Sequence, residues 1–201
     1  MLNAYIVVVL IAVLVGIFLD ARRRMWRHSR SLAAEKASIV SDSGATASIG
    51  VFHSPGDVSV ILAASEERGA LYYRVLRKGK VLNRSRINLA NVVKTELLVD
   101  LTVRDPGPYS PQMPSAHVAT EVSSREVAKC SPEQLRALQR VGVRIIFQDN
   151  GGQTKAFETT VMRADHDTHR SRRAELFKDA IWWTVFLNSA SAKARKGQQG
   201  S

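Results

Sequence analysis

The chain has 201 residues, 45% hydrophobic and 23% charged, with a formal net charge of +11 and one cysteine, Cys130, which excludes an internal disulfide and fits a reducing compartment. The positive charge is unevenly spread: residues 20–36 hold six basic groups against Asp20 and Glu35, Lys193, Arg195 and Lys196 lie in 193–201, and residues 37–192 keep +4. With no basic stripe interleaved with aromatics, nucleic acid is not an expected partner.

Residues 1–19, MLNAYIVVVLIAVLVGIFL, carry one polar side chain, Asn3, and no charge. A helix over this run is about long enough to cross a bilayer core of roughly 30 Å. No Lys or Arg precedes it and Asp20-Ala21-Arg22-Arg23-Arg24 follows it, the reverse of a cleaved signal's order. The expectation is therefore an uncleaved, single-pass transmembrane helix in the cell inner membrane, with the N-terminus outside and the remainder cytoplasmic. Residues 20–50 read as a basic juxtamembrane segment and linker. There Arg22, Arg23, Arg24, Arg27 and Arg30 are expected to meet anionic lipid, and Trp26 to sit at headgroup level. Within that segment Ser31 to Lys36 suits a short amphipathic helix, and Ser38 to Gly50 a flexible linker.

The body, residues 51–192, turns to β-formers. Val58–Leu62, Leu71–Arg77, Val81–Ile87 and Val92–Leu101 read as strands, the second and third joined by the short loop Lys78-Gly79-Lys80. Asn88 to Asn91 suits one helical turn. Four of the six prolines fall in 104–115, an extended loop with two Pro-x-x-Pro spacings. Ser131-Pro132-Glu133-Gln134 has the form of a capping box with Pro at the first helical position, and Gly142 is read as that helix's end. Val143–Phe147 and Lys155–Met162 form a hairpin around Asp149-Asn150-Gly151-Gly152. A last helix is expected over 171–192, apolar nearly all round between Ala180 and Leu187, and 193–201 is read as a basic disordered tail.

Leu71-Tyr72-Tyr73-Arg74-Val75, Ile87 to Glu96, Val143 to Phe147 and Ala180 to Leu187 together resemble the strand series and tryptophan-bearing terminal helix of bacterial PH-like domains. The resemblance implies an α+β fold: a small bent antiparallel sheet or partly open barrel closed by the C-terminal helix. It also implies a bacterial, membrane-anchored binding or scaffolding module. It transfers no binding residues.

Catalytic signatures are weak. Asp165-His166-Asp167-Thr168-His169 has metal-ligand residue types, but Arg163, Arg170, Arg172 and Arg173 flank it and would oppose a cation. Cys130 precedes a helix start without a base nearby in sequence. Gly-x-Ser-x-Gly, phosphate-loop and Cys-x-x-Cys patterns are missing from the sequence. The expected role is a non-catalytic binding module with a protein partner and no cofactor. A subunit of an envelope-assembly or transport complex, contacting partners through the anchor and Trp182–Trp183, is the alternative. A metal-dependent enzyme using residues 165–169 stands third.

Overall fold

A computed structural model describes residues 2–44, 46–54, 58–106 and 113–199, with side chains except at 2–5, 7–9, 167, 168 and 199. Helix α1 (Leu2–Ser43) leads into a four-stranded antiparallel meander, β1 (Ser48–Ser54), β2 (Val58–Ser65), β3 (Ala70–Arg77) and β4 (Lys80–Asn88), in that spatial order. A 3-10 turn at Leu89–Asn91, capped by the Asn88 side chain, opens a second sheet of β5 (Val92–Val99), β6 (Thr102–Arg104), β7 (Arg140–Gln148) and β8 (Thr154–Arg163), ordered β6-β5-β7-β8. Helices α2 (Ser115–Ala128) and α3 (Pro132–Ala137) lie between β6 and β7, and α4 (Asp167–Arg170) and α5 (Arg173–Gln199) close the chain.

Alternation along the strands explains the layering. Val60, Leu62, Leu71, Tyr73 and Ile87 point from the first sheet into the main core, where they meet Val143, Ile145 and Val161 of the second sheet and Trp183, Phe186 and Leu187 of α5. The opposite face of the first sheet puts Ile61, Ala63, Ala70, Tyr72 and Leu76 around Ile39 of α1 in a smaller cluster, with Leu32 packed against it. So α5 and α1 each cover a sheet face. The apolar circumference of α5 is used up between β5, β7 and β8 on one side and α2 on the other. Asn188 fixes its axial position: its amide accepts from the Thr95 N–H (2.7 Å) and donates to the Thr95 carbonyl (2.8 Å). That peptide lies beyond the reach of β6, which pairs only with Leu97–Val99.

Several expectations are corrected. Among the described residues no helix is long and apolar enough to cross a membrane. Part of the apolar run, side chains 1–5 and 7–9, lies outside the described residues. Its continuous described part, Leu10 to Leu19, spans only about 15 Å before Asp20 and the arginines. The helix then runs on to Ser43, because Leu32 and Ile39 dock it on the sheet. The transmembrane span, the single-pass topology and the inner-membrane location that followed from it are withdrawn. The partly open barrel is corrected as well: the chain has two separate open sheets, and β1 approaches β8 without a ladder between them.

Local assignments also shift. The linker expected at 38–50 is the end of α1 and the start of β1. Helix α3 ends at Ala137, and Gly142 lies within β7, where a Cβ would stand 2.9 Å from the Thr159 carbonyl oxygen. Helix α5 continues to Gln199, through most of the stretch read as a disordered tail. Of the proline-rich loop, residues 107–112 are outside the described residues; the first Pro-x-x-Pro spacing falls wholly on them, and the second begins there and ends at Pro114, the residue before α2.

Candidate functional site: an arginine cleft between α1 and the first sheet

Where the C-terminal half of α1 lies over β3 and β4, the two surfaces diverge into an open cleft of about 740 Å³. It is lined by Ser41, Asp42, Arg68, Tyr72, Arg74, Arg84, Ser85 and Arg86. Register dictates the clustering. Arg74 is opposite Arg84 and Tyr72 is opposite Arg86, so all four side chains leave the sheet on the α1 side. Arg68 enters from the β2–β3 turn.

Directly opposed cations in adjacent strands repel, and α1 supplies the compensation. Arg74 is only 6% exposed, and its guanidinium donates to Asp42 Oδ2 at 2.7 Å and stands 3.7 Å from Glu35 Oε2. Glu35, 7% exposed, accepts two hydrogen bonds from Arg84, one through Nε at 3.1 Å and one through Nη2. Both the hydrogen bonds and the charge of Glu35 raise the Arg84 pKa above its ordinary value. Arg68 donates to the Asp42 carbonyl oxygen. Arg86 lies over the Tyr72 ring, 5.8 Å from its centroid. Four guanidinium groups thus stand in the cleft against two carboxylates, which pair with Arg74 and Arg84 and leave Arg68 and Arg86 to a backbone carbonyl and an aromatic ring. Arg74 Nε is buried without a hydrogen-bond partner and meets Glu35 as an ion pair alone.

A second set of contacts pins α1 at its middle. The Gly79 N–H donates to His28 Nδ1 (3.0 Å), so the His28 proton sits on Nε2 and donates to Ser59 Oγ (2.9 Å). The Ser59 hydroxyl is left to donate to His53 Nδ1 (2.9 Å). Gly79 is required twice over: its φ is +76°, and a Cβ would come within 3.3 Å of the His28 Cα.

The residues singled out from sequence are dispersed. Arg22, Arg23, Arg24, Trp26, Arg27 and Arg30 all lie on α1, the last two flanking the His28 contact; Trp26 is exposed with Arg30 over its ring, and Arg24 pairs with Asp20. Trp183 is a core residue, edge-on to Phe52, and is unavailable as an interaction surface. Trp182 stacks on Phe186 and donates to Thr120 Oγ1 (3.1 Å), which ties α5 to α2. Around 165–169, the Arg163 guanidinium donates twice to Asp165, and His169 is buried with Nδ1 accepting from the Arg163 N–H. Among the described residues no group of three or more His, Cys, Asp or Glu is placed to hold a metal ion. Cys130 is half-buried, and its thiol donates to the Glu126 carbonyl.

None of the cleft arginines was singled out from the sequence. A signal existed: between Arg68 and Glu96 the chain has no acidic residue, and Arg84 and Arg86 repeat at the two-residue spacing of one strand face. Comparison with protein families, with curated proteins and with solved structures finds no match to this chain.

Proposed function

We propose that this protein is a non-catalytic binding module that docks an anionic protein partner in the arginine cleft. The observation that carries the reading is the imbalance of four arginines against two carboxylates in an open, preformed groove. Guanidinium groups suit this role because they stay charged and present fixed donor forks to carboxylates. No nucleophile with a positioned base lines the cleft, which favours binding over chemistry.

The test is binding of polyglutamate to the full chain at two salt concentrations. Salt-sensitive binding that falls about tenfold or more in R86A, a change at an exposed position, supports the reading. Equal binding by R86A refutes it.

A second reading, a subunit of a larger assembly, is favoured by α1 itself. Ile6, Leu10, Ile11, Leu14, Ile17, Phe18 and Leu19 are each at least 48% exposed, and apolar patches of this kind mark interaction sites. Light scattering on the purified full chain tests it: a monomer at working concentration argues against self-assembly, and a defined oligomer supports it.

A further inference from the structure

We propose that the outer edge of β4 takes an acidic, extended peptide segment as a fifth strand of the first sheet. The proposal rests on the reading of the cleft as an anionic docking surface and specifies the form of the partner. Strand β4 ends the sheet, is nine residues long, and has no strand on its outer side among the described residues. An edge of this kind is a template for backbone pairing, a recurrent mode of peptide recognition. The β3–β4 hairpin, residues 70–88, carries six basic side chains and no acidic one. Like charge bars a second copy of this edge from pairing with it, and an acidic strand reverses the sign of that barrier.

The register makes the match specific. Arg84 and Arg86 are two residues apart on the α1 side of the sheet, about 6.7 Å along the strand. An added strand repeats at the same interval, so carboxylates at its alternate positions meet both guanidinium groups. Arg84 is partly engaged by Glu35. Arg86 is held only by the Tyr72 ring among the described contacts, and is the stronger anchor for an incoming carboxylate. Leu82, 61% exposed beside them, gives such a segment an apolar contact.

The experiment uses the full chain and a fluorescent eight-residue peptide alternating glutamate and threonine, followed by anisotropy. Two analogues carry N-methyl groups on one or the other set of alternate backbone amides. Strand addition uses one edge of the peptide, so one analogue is expected to lose about tenfold or more in affinity while the other stays near the parent. R86E is expected to weaken the parent peptide by a similar factor at unchanged melting temperature, and to bind the corresponding lysine–threonine peptide better than the native chain does. If both analogues bind as the parent does, or both weaken equally, strand addition is overturned while the charged docking surface stands. Tighter binding of a single-stranded oligonucleotide of equal charge, with no difference between the analogues, also overturns it. If neither the peptide nor polyglutamate binds, the docking reading falls with it.

Discussion

Helices α5 and α1 both lie on a sheet, and the way each is held differs. Helix α5 buries Phe177, Ile181, Trp183, Val185, Phe186 and Leu187 between β-strands and α2, and hydrogen bonds such as those of Asn188 to the β5 backbone and Trp182 to Thr120 of α2 add direction to that burial. Helix α1 brings a small apolar contact, Leu32 and Ile39, and completes its seat with Glu35, Asp42 and His28. Apolar burial is non-directional, with a strength that scales with area. Paired charges in a partly open cleft are directional, screened by salt, and open to exchange for an outside carboxylate. The fold therefore keeps its stability under α5 and its adaptable surface under α1.

The largest effect separating the two seats is expected from Trp183→Ala. Removing a buried indole that touches Phe52, Trp182 and Phe186 costs about 3–5 kcal/mol, read as a lowered denaturation midpoint with unchanged slope. An unchanged midpoint breaks the comparison by showing that α5 is not where the stability lies.

Glu35→Ala tests the other seat. It strips Arg84 of its carboxylate partner and leaves buried Arg74 with Asp42 and the Tyr73 carbonyl. Breaking a buried pair costs roughly 3–5 kcal/mol, and the retained Asp42 contact places this change at or below the lower end of that range. The loss should be partly recovered when Arg84 is also replaced by Met, which removes one of the stranded cations. A double-mutant cycle on Glu35 and Arg84 measures that coupling.

How much of this was legible in the sequence follows the same division. Strands β2, β3, β4, β5, β7 and β8 announce themselves through alternation and β-branched composition, and the α3 capping box is present as read: the Ser131 hydroxyl accepts from the Gln134 N–H while the Gln134 side chain accepts from the Ser131 N–H. Strand β1 was hidden because it begins among small polar residues and contains Gly50. The reason for that glycine is tertiary: a Cβ there would stand 2.5 Å from Trp183 Nε1. Helix α2 was hidden by serines, threonine and β-branched valines. Yet its buried residues, Ser115, Val118, Ala119, Val122 and Ser123, keep helical spacing. The N-terminal apolar run has the composition of a membrane span, whereas the helix's second half packs on the first sheet through Leu32 and Ile39. The arginine cleft needed the pairing of Arg74 with Arg84 and of Tyr72 with Arg86, and pairing between strands is set by register, which local patterns do not give.

A smaller effect sharpens the account of Gly50. Gly50→Ala forces the Trp183 indole or the β1 backbone to move, an overpacking cost of about 1–3 kcal/mol. In the Trp183→Ala background the same substitution should cost close to nothing, because the clashing ring is gone. Additivity of the two changes in chemical denaturation would show that the close approach is not what excludes a side chain at this position.

The gentlest perturbation is pH, which acts on the histidines near the α1 seat. Burial, and then the charges of His28, His166 and Arg172, hold the His53 pKa below the ordinary histidine value. Burial and His166 do the same for His169. Groups lowered in the folded state are protonated first in the unfolded chain, so the stability they contribute is fully present above the ordinary value near 6.5 and is lost as pH falls from there through the lowered folded values. The melting temperature is thus expected to be flat above neutrality and to decline below about pH 6.5, with a shallower decline in H53Q. If H53Q and the native chain decline in parallel while H169Q flattens the curve, the sensitivity belongs to the β8–α4 corner and not to His53 beside the α1 seat.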